Sequence, residues 1–157
     1  VEDGMIVTTQ VEDILTSPAQ TLILPCNTVG ALGAGLAKKF KEKWPEIEWP
    51  YKYQCQTFQL ESNGLYCYRL KTKLPKQILF LPTKKHWKHP SKLHYIEKGL
   101  LKLVKDYERY GITSLAVPML GCGLGQLEWE DVYPMILEHL DPLPIPVRIC
   151  LSPEKQW

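Results

Sequence analysis

Lys84 and Lys85 close an apolar run, Ile78-Leu79-Phe80-Leu81, that passes through Pro82-Thr83 and continues into His86-Trp87. A lysine held partly out of water beside a second cation loses proton affinity, and its neutral amine becomes a usable nucleophile. A surface lysine pair is the plainer reading of the same residues. Their context is a pair of glycine-punctuated loops, each fed by its own apolar run. Cys26-Asn27-Thr28-Val29-Gly30-Ala31-Leu32-Gly33-Ala34-Gly35-Leu36-Ala37 follows Leu22-Ile23-Leu24, and Gly121-Cys122-Gly123-Leu124-Gly125-Gln126 follows Leu115-Ala116-Val117-Pro118-Met119-Leu120. Three buried-strand signals ending in backbone-rich or cationic loops predict one site at the C-terminal edge of a sheet. The natural ligand of such a site is a phosphate-bearing nucleotide.

Gly33-Ala34-Gly35 opens a lysine-flanked helix, where glycines allow close backbone approach and the free amides of a helix start favour an anion. Simple chain reversal also uses glycine, and the loop has neither the Rossmann spacing nor the Gly-Lys-Ser/Thr of a P-loop. Gly121, Gly123 and Gly125 alternate in a second potential anion nest, so two loops can hold a diphosphate between them. Asn27, directly after a strand, can hold a sugar hydroxyl or serve only local backbone bonds in a turn. Asp13, in Val11-Glu12-Asp13-Ile14-Leu15, can accept from an adenine amino group or sit in a surface turn.

The elements that must position these residues come from one domain of 157 residues, long enough to bury a core. Hydrophobic content of 45% and charged content of 23% are ordinary for a soluble globular protein. No apolar run reaches the length of a membrane span and no signal segment opens the chain, so a cytoplasmic protein is expected. Val1-Glu2-Asp3-Gly4 is set aside as a cloning remnant. The five cysteines are widely spaced without a CxxC pair, which argues for buried thiols in a reducing cytosol and against disulfides or zinc. The formal net charge is only +2, yet no acidic residue occurs from Ser62 to Ile96, a stretch holding Lys71, Lys73, Lys76, Lys84, Lys85, Lys88 and Lys92. A one-sided basic block is the footprint of a polyanionic partner, or else a solvated lysine face.

Strands are predicted over Met5–Val11, Thr21–Cys26, Leu65–Leu70, Gln77–Leu81, Ser114–Leu120 and Ile145–Leu151. Leu36, Ala37, Phe40 and Trp44 recur at helical spacing until Pro45 stops the helix. Ser91 is placed to cap a helix whose face is Ile96, Leu100, Leu103 and Tyr107, closing at Gly111. A helix from near Glu128 carries Glu130 and Asp131 in its first turn, and Pro134 suggests that this turn is displaced. Alternating strands and helices give an α/β fold with a mostly parallel or mixed central sheet.

The set Asn27…Gly30…Gly33-Ala34-Gly35, then Pro82-Thr83-Lys84-Lys85-His86-Trp87…Pro90-Ser91-Lys92-Leu93…Tyr95-Ile96, then Gly121-Cys122-Gly123-Leu124-Gly125…Leu127-Glu128-Trp129-Glu130-Asp131-Val132 closely resembles macrodomains of the DarG antitoxin family. The resemblance runs from about Met5 to Leu140, and the Pro-Thr-Lys-Lys-His-Trp turn is its specific part. It implies a macrodomain: a mixed central sheet with helices on both faces. It also implies a DNA ADP-ribosyl glycohydrolase, opposed to toxins that attach ADP-ribose to thymine in single-stranded DNA. The terminal ADP-ribose glycohydrolases of animals share the Thr-Lys-Lys turn and the Gly-Ala-Gly loop.

Carried over on these matches, the catalytic lysine is Lys84. Asp13 and Ile14 take the adenine position and Asn27 the ribose side. Gly33, Ala34, Gly35, Gly121, Cys122, Gly123, Leu124 and Gly125 form the diphosphate and distal-ribose cradle. The animal enzymes have an aspartate where this chain has Gly125, so a lysine–aspartate pair cannot operate here. The DarG group usually has glycine there.

The reading of the sequence is therefore a hydrolase that frees ADP-ribose from a DNA base, with Lys84 attacking the distal ribose. Lys85, His86, Trp87, Lys88 and Lys92 would meet the DNA, the lysines at phosphates and Trp87 by stacking on an unpaired base. No metal or other cofactor is expected, because no ligand cluster exists. The expected partners are ADP-ribosylated single-stranded DNA, ADP-ribose and a DNA ADP-ribosyltransferase toxin. A non-catalytic ADP-ribose reader and a hydrolase of ester-linked ADP-ribose on protein carboxylates are the competing readings.

Overall fold

A computed structural model describes residues 6–152. The predicted start of the first strand at Met5, residues 1–4 and the last five residues lie outside the described part. In chain order the elements are β1 (Val7–Val11), a 3-10 turn (Ile14–Thr16), β2 (Thr21–Cys26), α1 (Gly35–Lys43), a second 3-10 turn (Pro45–Ile47), α2 (Glu48–Gln56), α3 (Gln59–Asn63), β3 (Tyr66–Arg69), β4 (Gln77–Pro82), α4 (Leu93–Asp106), β5 (Leu115–Val117), α5 (Trp129–Leu140) and β6 (Val147–Leu151).

The six strands form one sheet in the order β1-β6-β5-β2-β4-β3. Every neighbouring pair is parallel except β3 with β4. The sheet is therefore mixed, and five of its strands point their C-terminal ends the same way. Alternate residues feed opposite faces, as the period of a strand requires. Leu22, Leu24, Ile78 and Phe80 pack with Leu36 and Phe40 of α1, Tyr51 and Cys55 of α2 and Leu60 of α3. Ile23, Leu79, Leu81, Val117 and Ile149 pack on the other face with Ile96, Leu100 and Leu103 of α4 and Val132, Ile136 and Leu140 of α5. Burial on both faces explains why β2 and β4 read as unbroken apolar runs instead of alternating ones.

Several predicted boundaries move for identifiable reasons. β5 ends at Val117 because Pro118 has no amide for a ladder, and its carbonyl instead accepts from the Leu120 amide at 2.8 Å. β6 starts only after Pro146. α2 and α3 lie in a stretch with no predicted element: Pro45 opens the second 3-10 turn and Pro50 falls in the first turn of α2, where a missing N–H costs no helical bond. Ser91 does not cap α4. Lys92 is the N-cap residue, without a side-chain cap, and the Ser91 hydroxyl is engaged by Thr83. α5 runs from Trp129 straight through the exposed Pro134, so its first turn is not displaced.

Candidate active site

The C-terminal ends of β2, β4 and β5 open into a cleft of about 520 Å³, lined by both glycine loops, Thr83, Lys84, the Trp87–His89 turn and Ser91. That volume falls within the range of small-molecule sites.

The first loop is organised by Asn27, which is buried. Its side-chain oxygen accepts from the amides of Val29, Gly30 and Ala31 at 3.1, 3.1 and 3.2 Å, and its Nδ2 donates to the Ala31 carbonyl at 3.0 Å. The Tyr51 hydroxyl, from the otherwise apolar core under α2, reaches both the Asn27 carbonyl and its side-chain oxygen at 2.8 Å. Asn27 therefore does serve local backbone bonding, and it also lines the cleft. The loop delivers the chain to α1, whose N-cap residue Ala34 provides no side-chain cap. Gly35, Leu36 and Ala37 line the cleft at that point, where the first amides of a helix have no intrahelical partner. A side chain on Gly33 would meet nothing within 4 Å, so the protein's own packing does not require glycine there.

The second loop is shaped against Ser91. The Ser91 amide donates to the Gly125 carbonyl at 2.8 Å, and the Leu127 amide to that of Gly121 at 2.8 Å. The Thr83 and Ser91 hydroxyls share a buried hydrogen bond of 2.8 Å, tying the end of β4 to the start of α4. A Cβ on Gly125 would run into the Ser91 Oγ and sit 2.5 Å from the Gly121 carbonyl oxygen. An aspartate side chain thus has no room at 125. The amides of Gly123, Leu124 and Gly125 are engaged by no backbone carbonyl of the described residues, while that of Cys122 donates to Met119. The Cys122 side chain turns away from the cleft; its Sγ lies 3.4 Å from the Leu120 carbonyl and burial, then Glu128 and Glu130, push its pKa up to about 11.

Lys84 lines this cleft and also a second groove, beside Lys85, Phe58, His94, Tyr95 and Lys98. Burial lowers its pKa from the ordinary lysine value of 10.5, and Lys85 is not among the causes. Among the described residues no carboxylate pairs with Lys84, so nothing offsets the cost of holding its ammonium out of water. The residues read as DNA contacts divide. Trp87 and Lys88 stand on the rim of the cleft, with the Lys88 ammonium 5.3 Å from the Trp87 ring centroid. Lys85 faces the second groove, and its carbonyl accepts from the Thr28 amide at 3.0 Å. His86 accepts from the Lys88 amide through Nδ1 at 3.1 Å and, like the exposed Lys92, lines neither space.

Asp13 and Ile14 follow β1 on the same edge of the sheet but do not line the cleft. One Asp13 carboxylate oxygen accepts from the Leu15 amide at 3.0 Å, and the Ile14 side chain is wholly buried. The preceding Glu12 is bidentate with Arg148 of β6, at 2.7–3.2 Å, which anchors this corner. The sequence reading assigns no role to His89, Met119 and Gln126, which line the cleft, or to Tyr51 beneath it. Only Tyr51 was accessible, through the Ile47, Tyr51, Cys55 spacing of a helix face. Among the described residues no three His, Cys, Asp or Glu side chains group to hold a metal ion, and no helix is long and apolar enough to cross a membrane.

Residues 23–136 match the Macro domain family. The DNA ADP-ribosyl transferase-DNA ADP-ribosyl glycohydrolase fusion protein of Thermosipho africanus is 39% identical over 92% of this chain and 41% of its own length. The structure of Thermosipho africanus DarTG in complex with ADP-ribose superposes with a TM-score of 0.90 over 96% of this chain and 43% of that one. The macrodomain of Mycobacterium tuberculosis DarG, at 35% identity, gives a TM-score of 0.87 over 96% of this chain and 99% of that one. Human ADP-ribose glycohydrolase OARD1 is 29% identical over 75% of this chain and 72% of its own length. The chain spans about two fifths of the length of the curated bacterial relatives it matches. With the sheet order, the two backbone loops and this similarity in agreement, the chain belongs to the macrodomain family, within the group of the DarG macrodomains.

Proposed function

We propose that this macrodomain is a DNA ADP-ribosyl glycohydrolase that removes ADP-ribose from thymine in single-stranded DNA, with Lys84 as the nucleophile. The observation that carries the reading is the position of Lys84: partly buried, of lowered proton affinity, and set between a cleft lined by two glycine loops and a second, basic groove. The names of the bacterial relatives support the substrate class.

The orphan amides at the start of α1 and those of Gly123, Leu124 and Gly125 hold the diphosphate, and the second Nδ2 hydrogen of Asn27 is available to a ribose hydroxyl. Asp13 receives the adenine at the outer end of the edge. The neutral Lys84 amine attacks the anomeric carbon of the distal ribose. The bond from that carbon to the base nitrogen breaks, its electron pair goes to the base, and the proton shed by the lysine nitrogen follows it. Water then adds to the same carbon, the bond to Lys84 breaks, and the amine returns with ADP-ribose free and the base intact. Two modest displacements replace one difficult step.

The lysine itself supplies the attacking group, so the reaction calls on no metal or organic cofactor. A DNA ADP-ribosyltransferase is the reaction partner that must supply this substrate, in the cytoplasm where such DNA would be met. Hydrolysis of ester-linked ADP-ribose is the second reading, favoured by the similarity to human OARD1. The test is incubation with a single-stranded oligonucleotide carrying ADP-ribose on thymine, with chromatography of the products. Free ADP-ribose and unmodified oligonucleotide are expected; release only from an ADP-ribosylated glutamate peptide would favour the second reading.

A further inference from the structure

An enzyme of the kind proposed above, on which the following assignment rests, holds the two halves of its substrate on opposite sides of the bond it breaks. Lys84 lines the cleft with the two glycine loops, and among the described residues it is the one that this cleft shares with the neighbouring groove. If the sugar to be released lies in the cleft, the space across Lys84 faces what remains.

That groove has an unusual wall. Phe58 is 70% exposed and sits at φ 59°, in the left-handed region, as the N-cap residue of α3. A residue with a Cβ is strained in this backbone region, and exposure returns nothing to folding. Lys85, His94 and Lys98 line the same groove. Lys98 is held in place: its ammonium donates to the Glu61 carbonyl at 3.0 Å and its stem lies against Gly64, where a Cβ would come within 3.2 Å. Glu61 is the one carboxylate among the described residues of the lining, and its Oε1 accepts from the Thr28 hydroxyl at 3.4 Å. An exposed aromatic face among placed cations is the pattern of single-stranded nucleic-acid binding, in which bases stack and phosphates are tracked. On the rim of the cleft, the Trp87 ring already has the Lys88 ammonium near its face.

We infer that the groove walled by Phe58, Lys85, His94 and Lys98 receives the nucleotide strand on the far side of the scissile bond, with Phe58 as its base-stacking platform. The occupant is single-stranded nucleic acid; a peptide carrying ADP-ribose on a carboxylate has no base to stack.

The experiment compares steady-state hydrolysis of an oligonucleotide ADP-ribosylated on thymine and of a peptide ADP-ribosylated on glutamate, with ADP-ribose calorimetry on each variant. Phe58→Ala and Lys98→Glu are expected to raise KM for the oligonucleotide about fivefold or more, the lower end of a lost stacking contact, with ADP-ribose affinity unchanged. Phe58→Gly relaxes the backbone and should lose as much as Phe58→Ala, which separates stacking from folding. Wild-type turnover of the oligonucleotide with all three variants unaffected overturns the groove assignment and leaves the proposed function standing. No release from the oligonucleotide by the wild type overturns that function, and the assignment falls with it. Losses confined to the peptide substrate, or a parallel loss of ADP-ribose affinity in all three variants, also overturn the assignment.

Discussion

The Ser91 side chain stands where a side chain on residue 125 would begin. Its amide holds the Gly125 carbonyl at 2.8 Å, and its hydroxyl occupies the position into which a Cβ at 125 would project. Gly125→Ala is therefore expected to cost about 1–3 kcal/mol of stability by overpacking and to weaken ADP-ribose binding through the displaced loop. Adding Ser91→Gly should recover only part of the loss, because the Gly121 carbonyl, 2.5 Å from the same Cβ, remains. Thermal unfolding and calorimetry of the single and double variants measure both effects.

Tyr51 reaches up from beneath the first loop to hold both oxygens of Asn27. Tyr51→Phe keeps the ring stacked on Phe80, at 5.0 Å between centroids, and removes only the hydroxyl. A loss of about 1–3 kcal/mol is expected, since the buried carbonyl loses its partner. ADP-ribose affinity should fall too, as the loop loses its anchor. Denaturant unfolding and calorimetry of this variant report the two quantities separately.

The exposed Gly123 lines the cleft beside amides that are left unengaged. Gly123→Glu places a carboxylate where a phosphate is proposed to bind. Binding of ADP-ribose should weaken at least tenfold, about 1.4 kcal/mol, with unfolding little changed because the residue is exposed. Unaltered affinity in calorimetry would remove this loop from the cradle.

Much of this site could be read from residue order. Leu22–Leu24, Ile78–Leu81 and Leu115–Val117 are apolar runs with turn residues behind them, so both the strands and the edge at which their loops converge follow from local pattern. Ser91 was misread because serine before an apolar helix is the pattern of an N-cap, and only tertiary packing brings the Thr83 hydroxyl to it. Pro45 and Pro50 hid α2 because a proline reads as a breaker unless the helix start is known to fall there. The groove beyond Lys84 was not legible at all: Phe58 precedes α3, Lys84 follows β4 and Lys98 lies in α4, and nothing local announces a left-handed phenylalanine.

The lowered pKa of Lys84 has consequences for both stability and rate. Burial disfavours its ammonium in the folded state, so the penalty is full below the folded pKa and disappears as pH rises from there toward the ordinary value of 10.5. Lys84→Met should therefore raise the melting temperature near pH 7, and the gain should shrink as pH approaches 10.5. Wild-type kcat should rise with pH up to the folded pKa and level off above it, as the amine becomes free to attack. Unfolding scans and a pH–rate profile test the two together.

The most direct test of the account is single-turnover hydrolysis of the thymine-ADP-ribosylated oligonucleotide by Lys84→Ala, beside Lys85→Ala and Lys84→Arg. Lys84→Ala should lose roughly 1,000-fold in rate, about 4 kcal/mol of transition-state stabilisation, while still binding ADP-ribose through the backbone cradle. Lys85→Ala should keep substantial activity. Lys84→Arg should not rescue, because a guanidinium stays protonated and cannot attack. Near-normal turnover by Lys84→Ala would contradict the account at its centre.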